Sequence, residues 1–199
     1  MAAVSVRFRF RQHPRPRYTM KYCGQCGHEV VVKAPPGDHL PRHICEHCGT
    51  IHYQNPKLVV GCVPEWQDRV LLCRRAIEPR AGFWTLPAGF MENGETLEQA
   101  ALREAQEEAL AEIELLAPLA SVNVPDINQV HFMFRGRLRH EHYGVGAETL
   151  EVNLFSEDLI PWKDIAFPSV GYTLECFFAD RRRGHYQFHI TTWRKSVAV

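Results

Sequence analysis

Residues 89–111 read GFMENGETLEQAALREAQEEALA, in which a glycine-containing turn precedes an acidic segment that favours a helix. Glu104, Glu107 and Glu108 fall at positions i, i+3 and i+4, so they share one face of that helix. Like charges at this spacing destabilise an isolated helix by about 0.2–0.5 kcal/mol per pair. Clustered carboxylates suit a hard divalent cation such as Mg²⁺ or Mn²⁺. The segment therefore predicts metal-assisted chemistry on phosphates.

Length and composition are those of one packed domain with a small additional module, since 45% of the 199 residues are hydrophobic. Lys and Arg number 23, as do Asp and Glu, so the net charge indicates neither nucleic acid nor an acidic partner. No apolar run approaches the roughly 20 residues that span a bilayer, and the N-terminus lacks the apolar stretch of a secretory signal. We expect a cytoplasmic protein that does not enter a membrane.

Residues 1–19 are rich in Arg and Pro and contain no acidic residue. We expect an arm without fixed structure, or an upstream extension of a chain that starts at Met20. A docking arm or an organelle-targeting segment is the alternative. The basic residues of the arm are Arg7, Arg9, Arg11, Arg15 and Arg17.

Residues 20–55 contain two Cys-x2-Cys pairs, each followed by a glycine that allows a tight turn. The pairs and the length of chain between them are typical of a tetrahedral zinc site. Because four protein ligands leave no open position, we expect the Zn²⁺ to be structural. The four ligands are Cys23, Cys26, Cys45 and Cys48.

Residues 56–199 predict a second domain that mixes strands and helices in an α/β sandwich. Thr96 and Gln99 form a capping box at the start of the acidic helix, and a second helix is predicted at 169–180. Apolar runs bounded by turn residues predict strands at 58–63, 69–73, 130–134, 151–155 and 186–190.

The spacing around the acidic helix resembles the signature of the Nudix hydrolases, and it runs Gly89-x5-Glu95-x7-Arg103-Glu104-x2-Glu107-Glu108. The preceding segment WTLPAG, residues 84–89, is similar to the strand that leads into the signature in that family. The resemblance covers about residues 56–190. It implies an α/β/α sandwich with a mixed sheet, and hydrolysis of the pyrophosphate bond of a nucleoside diphosphate derivative with Mg²⁺ or Mn²⁺.

The resemblance also implies roles for individual residues. Glu104 and Glu108 would be the first-choice metal ligands and Glu107 an auxiliary one, while the turn at Gly89 would supply a backbone carbonyl. A solvated acidic helix face is the alternative. The ion pair that orients the helix would be formed by Arg103 and Glu95.

In this family a further carboxylate often comes from a later loop and acts as base or extra ligand. The loop 144–151 is the natural source, and its glycines would let it move over a substrate. Glu148 is the first candidate and Glu151 the second, the latter also as a substrate contact. Arg75 follows a strand where the family often places a phosphate-contacting base. For each of the three, an ordinary surface side chain is the alternative.

One position departs from the family signature, which ends Glu-Glu-x-Gly, because Leu110 stands where the glycine is expected. Glycine at a helix end usually adopts a left-handed conformation, which leucine tolerates poorly. We therefore expect the helix to run on through Ile113 or to end by another geometry.

The order of the two domains, a zinc ribbon followed by a Nudix domain, resembles that of two groups of enzymes. The NADH pyrophosphatases share the domain order but carry the array SQPWPFP after the helix, whereas residues 121–130 read SVNVPDINQV. The FAD and ADP-ribose pyrophosphatases, including a plant chloroplast FAD pyrophosphatase, are more similar. We expect FAD, cleaved to FMN and AMP, or ADP-ribose as substrate, with NADH as the alternative. Candidate aromatic walls for its ring are Phe90, Phe132, Phe134 and Phe167.

A binding protein is the rival from another class, in which the ribbon and the arm contact nucleic acid and the Nudix fold senses a nucleotide. The ribbon segment is not strongly basic, and no helix-turn-helix is evident. A complete carboxylate set also favours turnover over sensing. We therefore expect a small nucleotide as substrate, no nucleic-acid partner, and a structural or assembly role for the ribbon, for example in a homodimer.

Overall fold

The structure is a computed structural model, and it describes residues 20–194. The basic arm predicted for residues 1–19 lies outside the described residues. The chain divides into two compact units, the first ending at Gln54 and the second beginning at Asn55. No helix among residues 20–194 has the length and apolar character needed to cross a membrane.

The first unit contains a small antiparallel sheet in which the middle strand pairs with both neighbours. Between residues 20 and 54, the buried apolar residues are Cys23, Pro35, Ile44 and Cys45. So little apolar burial contributes only a few kcal/mol to folding, and the unit needs another source of stability. The strands are β1 (Val31–Lys33), β2 (Arg42–Ile44) and β3 (Ile51–His52).

The second unit is built on an eight-stranded mixed sheet with the order β10-β5-β4-β9-β8-β11, in which β6 pairs with β5 and β7 pairs with β4. The pairs β4–β9 and β8–β11 are parallel, and the others are antiparallel. The strands are β4 (Lys57–Trp66), β5 (Arg69–Arg75), β6 (Trp84–Thr85), β7 (Ala88–Phe90), β8 (Ile113–Val124), β9 (Gln129–Leu138), β10 (Thr149–Phe155) and β11 (His189–Thr192).

Two helices cover this sheet, α1 (Leu97–Ala109) and α2 (Pro168–Arg183), and short 3-10 turns span Pro125–Ile127, Glu157–Leu159 and Trp162–Asp164. Each helix packs into a separate hydrophobic core, so the predicted sandwich with a mixed sheet is confirmed. The last predicted strand, 186–190, lies slightly later, at 189–192. The apolar residues that α1 buries are Ala100, Ala101, Ala105 and Ala109, and such small side chains let a helix lie close to the strands beneath it.

The start of α1 follows the sequence prediction. The Thr96 hydroxyl accepts a hydrogen bond from the Gln99 amide at 3.3 Å, and the Gln99 side chain accepts one from the Thr96 amide at 2.8 Å. This reciprocal capping box satisfies two backbone donors that the first turn leaves unpaired.

The end of α1 corrects the sequence prediction. The helix stops at Ala109, and Leu110 adopts the left-handed conformation with φ 48° and ψ 35°. The expectation that the helix runs on through Ile113, or ends by another geometry, is therefore wrong. Tertiary hydrogen bonds offset the cost of about 1–2 kcal/mol for a left-handed leucine: Gly144 donates its amide to the Ala109 carbonyl at 2.7 Å, and Gly146 donates to that of Glu108 at 3.2 Å.

Candidate active site

The carboxylates of α1 lie against the turn that precedes the helix. A Cβ atom at Gly89 would overlap the Glu104 carboxylate, so a side chain there would displace that carboxylate. The Ala88 amide donates a hydrogen bond to Oε2 of Glu108 at 3.1 Å. A Cβ atom at Gly61, on β4, would overlap Pro87 and Ala88 in the same way. The turn therefore lies close to the helix at Gly89 and close to β4 at Gly61.

Arg103 joins the turn to the helix. Its Nε and Nη2 donate to the two carboxylate oxygens of Glu95 at 2.6 and 3.1 Å, and Nη2 also donates to the Phe90 carbonyl at 3.0 Å. Its Nη1 donates to Glu104 at 2.6 Å and to Glu107 at 2.9 Å. Charge-assisted, bidentate bonds of this kind are roughly twice as strong as neutral ones. The predicted pair of Arg103 and Glu95 is thus part of a five-bond clamp.

Burial makes two of the carboxylates hard to ionise. Desolvation raises the pKa of Glu108 to about 7, with the Ala88 amide and Arg75 opposing the rise and the charges of Glu104 and Glu148 adding to it. Desolvation also raises the pKa of Glu104, although Arg103 counteracts it. By contrast, the hydrogen bond from Arg103 lowers the pKa of Glu95. Buried carboxylates that repel each other are stabilised by a cation.

Arg75 and Glu148 reach this cluster from other elements, because both of their charges act on Glu108. The Arg75 guanidinium donates to the Pro79 carbonyl at 3.0 Å and lies 5.2 Å from the centre of the Phe167 ring. Glu148 is exposed, and its carbonyl accepts the Ala76 amide at 2.8 Å. The charges of both predicted residues therefore influence the acidic face of α1.

Glu151, the second candidate for the additional carboxylate, pairs with side chains of the sheet rather than with the carboxylates of α1. It contacts Arg74 at 3.4 Å and Asn153 at 2.6 Å, on neighbouring strands of the sheet. None of its described hydrogen bonds or ion pairs joins it to the carboxylates of α1. Its role as a substrate contact stays a prediction.

The donor set suits a hard cation, since it combines buried carboxylate oxygens with a glycine turn that presents its backbone. Among residues 20–194, groups of three ligand atoms within 4.8 Å of one another are formed by cysteines and histidines, not by these carboxylates. Arg103 explains the wider spacing, because it holds both Glu104 and Glu107 through one nitrogen.

The four predicted cysteines of the first unit form one cluster, with all Sγ atoms within 4.8 Å of one another. The Sγ atoms of Cys23 and Cys48 are 3.7 Å apart, and those of Cys26 and Cys45 are 3.5 Å apart. Tetrahedral Zn²⁺ with Zn–S bonds of about 2.3 Å places its sulfurs about 3.8 Å apart. The spacing therefore fits zinc closely.

The two halves of the cluster have the same backbone structure. Gly27 donates its amide to the Cys23 carbonyl and Gly49 donates to the Cys45 carbonyl, both at 2.8 Å, and both glycines have φ of 75°. The left-handed φ explains why glycine follows each pair.

Sequence reasoning missed several groups that hold these sites. The Phe90 carbonyl and the Ala88 amide belong to the backbone and leave no sequence signal. Nε2 of His52 lies 3.2 Å from Sγ of Cys23, a contact that the cysteine spacing does not predict. The antiparallel pairing of β2 with β3 brings His52 there.

Comparison with known proteins agrees with this geometry. The family model described as NUDIX domain matches residues 55–170, and the one described as Nudix N-terminal, a zinc ribbon, matches residues 21–54. The NAD-capped RNA hydrolase NudC of Photorhabdus laumondii is 34% identical over 128 residues, which are 61% of this chain and 47% of that protein. NudC of Escherichia coli strain SMS-3-5 is 31% identical over 142 residues, or 71% and 53%. The chain spans about half the length of these curated relatives.

Solved structures give the same family. A NUDIX hydrolase from Nitrosomonas europaea is 50% identical with a TM-score of 0.83, and the match covers 87% of this chain and 100% of that one. An ADP-ribose pyrophosphatase from Streptococcus suis shares the fold. It is 21% identical with a TM-score of 0.54, and the match covers 69% of this chain and 100% of that one. The resemblance that the signature indicated is confirmed: the chain belongs to the Nudix hydrolase family and carries that family's N-terminal zinc ribbon.

Proposed function

We propose that the protein hydrolyses the pyrophosphate bond of a nucleoside diphosphate derivative with the aid of Mg²⁺ or Mn²⁺. The observation that carries the proposal is the buried pair Glu104 and Glu108, held against Gly89 and Ala88. A merely structural helix gains nothing from burying two mutually repelling carboxylates. We take residues 20–55 as the ribbon module and 56–199 as the catalytic domain.

In this mechanism, Glu104, Glu107, Glu108 and the Gly89 carbonyl would hold the cation. A bound divalent cation neutralises phosphate oxygens and lowers the pKa of water. Glu148 accepts a proton from the attacking water, whose oxygen forms a new bond to one phosphorus while the bridging P–O bond breaks. The leaving phosphate carries the bridging oxygen away.

Two arginines complete the proposed site. Arg75 contacts the substrate phosphates from the end of β5. Arg103 and Glu95 keep α1 aligned with the turn that holds Gly89.

FAD or ADP-ribose is the proposed substrate, on the resemblance of the chain to pyrophosphatases of these compounds. A cavity of about 470 Å³ supports this proposal, because it offers an aromatic wall for the ring of the substrate. Its lining includes Arg80, Trp162, Phe167 and Tyr172. Arg75 lies over Phe167, so the cavity adjoins the proposed phosphate contact. Of the other aromatic candidates, Phe134 is buried, Phe132 packs against it, and Phe90 is exposed beneath Lys57.

The relatives favour a second candidate, since the curated ones are NAD-capped RNA hydrolases. NADH, or an RNA that carries an NAD cap, would present the same pyrophosphate linkage. The sequence SVNVPDINQV at 121–130 lacks the array of the NADH pyrophosphatases, so we place this substrate second. The homodimer and the cytoplasmic location stay predictions.

A hydrolysis panel tests the order of substrates. FAD, ADP-ribose, NADH, CoA and an NAD-capped RNA are compared by kcat/KM with Mg²⁺ and with Mn²⁺. We expect the highest value for FAD or ADP-ribose. Preference for NADH or the capped RNA would reverse the order, and absence of any turnover would favour the nucleotide-sensing class.

A further inference from the structure

The loop between β9 and β10 lies directly on the last turn of α1. Gly144 and Gly146 donate their amides to the carbonyls of Ala109 and Glu108 at 2.7 and 3.2 Å. A Cβ atom at Gly146 would overlap the Glu107 carbonyl oxygen and lie 3.0 Å from the Glu108 Cα. The loop backbone therefore touches the backbone of two of the proposed metal ligands.

Glu148 is attached on its other side to the sheet. Its carbonyl accepts the Ala76 amide at 2.8 Å, and the Thr149 amide donates to the Gly146 carbonyl at 3.2 Å. The Glu148 backbone is thus held between the end of α1 and the end of β5. Its charge acts on both Glu104 and Glu108.

We propose that Gly146 is a positioning residue that sets the distance between Glu148 and the carboxylates of α1. This inference rests on the proposed function of Glu148. The two loop glycines were expected to allow movement over a substrate, whereas these contacts assign Gly146 to close approach. Neither Gly144 nor Gly146 has a left-handed φ, so alanine suits the backbone at both positions. The difference between them is steric.

Gly144 provides the matched control. A Cβ atom there would lie 3.1 Å from Cδ1 of Leu110, the far end of a flexible and partly exposed side chain. An alanine at Gly146 instead meets a helix backbone that cannot yield, so the loop has to move by on the order of 1 Å. A displacement of that size at a reacting group lowers catalysis by about 100-fold.

The experiment compares Gly146→Ala, Gly144→Ala, Glu148→Gln and the double variant Gly146→Ala/Glu148→Gln in the full chain. We expect Gly146→Ala to lower kcat by about 100-fold with little change in KM, and Gly144→Ala to lower it less than about 3-fold. The double variant should lose no more than the worse single variant, because both changes act through one carboxylate. Thermal unfolding checks that each variant is folded.

Hydrogen exchange on the same proteins separates this inference from the proposed function. In Gly146→Ala, and not in Gly144→Ala, we expect faster exchange of the amides at 144–149, whether or not any panel compound is hydrolysed. Wild-type kcat in Gly146→Ala, additive losses in the double variant, or unchanged exchange would each overturn the positioning role. Full activity of Glu148→Gln alongside a slow Gly146→Ala would overturn it as well.

Discussion

Glu104 and Glu108 are buried on the acidic face of α1, where each lies against the backbone of the turn formed by Ala88 and Gly89. A carboxylate in this position either binds a cation or repels its neighbour. Replacing it by glutamine preserves shape and hydrogen bonding while removing the charge. The variants therefore test the metal site without emptying the core.

We expect Glu104→Gln and Glu108→Gln each to lower Mg²⁺-dependent hydrolysis by more than about 100-fold, beyond the 10–100-fold typical of a residue that merely orients a ligand. The unfolding free energy of Glu108→Gln should hold or rise by a few tenths of a kcal/mol, because a like-charge pair is relieved. In Glu104→Gln the same relief is offset by a weaker hydrogen bond from Arg103. Glu98→Gln, at an exposed position in the first turn, is the control. Full activity in both site variants would refute the metal-site assignment.

His131 is a buried residue that the proposed chemistry does not use. Its ring nitrogens lie 2.8 Å from the Ser169 hydroxyl and 2.9 Å from the Gln129 side-chain oxygen, and burial lowers its pKa to about 4. An unfolded histidine has a pKa of about 6.5. Between these values the unfolded chain binds more protons, so stability is lost as the pH falls from 6.5 towards 4.

The loss from His131 amounts to roughly 3 kcal/mol across that window. We expect His131→Gln to be less stable than the parent at pH 7 and to lose less stability on acidification. Urea unfolding at pH 4.5, 5.5 and 7 measures the difference between the two proteins at each pH. A constant difference would show that His131 does not titrate in this range.

At the scale of the element, α1 combines a local start with a tertiary end. The capping box at Thr96 and Gln99 involves neighbouring residues and was therefore predictable. The stop at a left-handed Leu110 was not. The Leu110 and Ala111 amides close the helix end locally, on the Gln106 and Ala105 carbonyls, but the Ala109 and Glu108 carbonyls accept amides from the distant Gly144 and Gly146. A sequence pattern predicts hydrogen bonds within one helix turn far better than it predicts hydrogen bonds to residues more than 30 positions away.

The left-handed Leu110 gives an unusual stability prediction. Leu110→Gly should remove most of the conformational cost of a left-handed leucine, which is about 1–2 kcal/mol. Part of this gain is offset by the greater entropy of glycine in the unfolded chain and by a small loss of packing on Gly144. We expect a net gain of about 0.5–1 kcal/mol in the free energy of unfolding by urea, without loss of activity.

Leu102→Gly is the matched control for Leu110→Gly. Leu102 is similarly exposed but lies inside α1, where glycine costs about 1 kcal/mol. The two substitutions should therefore change stability in opposite directions. Equal destabilisation would show that the surroundings have removed the strain at Leu110.

At the scale of the whole molecule, the two units differ in what stabilises them. The second unit has two extensive cores, one against each helix. Within residues 20–54, the first buries few apolar side chains beyond Cys23, Cys45, Pro35 and Ile44. Its folding is therefore expected to depend on Zn²⁺, since metal binding and folding are coupled in such modules.

We expect a zinc-specific chelator to make residues 20–54 sensitive to protease while the fragment from Asn55 onward stays resistant. Excess Mg²⁺ is kept present, so that the proposed active site is not depleted of its own cation. Cys45→Ser should give the same cleavage pattern without a chelator. An unchanged digestion pattern would contradict the dependence on zinc.

The sequence by itself determined the family, the acidic face of α1, the clamp of Arg103 with Glu95, and the two cysteine pairs. The acidic face and each cysteine pair depend on spacings within a helix turn or a knuckle, whereas the clamp was implied by the resemblance to the Nudix signature. The tertiary structure decided the left-handed Leu110, the contact of Gly146 with the helix backbone, and the approach of Arg75 and Glu148 to Glu108. It also separated Glu151 from that cluster and placed it beside Arg74. Those contacts join different strands and loops, and close packing, rather than any residue pattern, determines them.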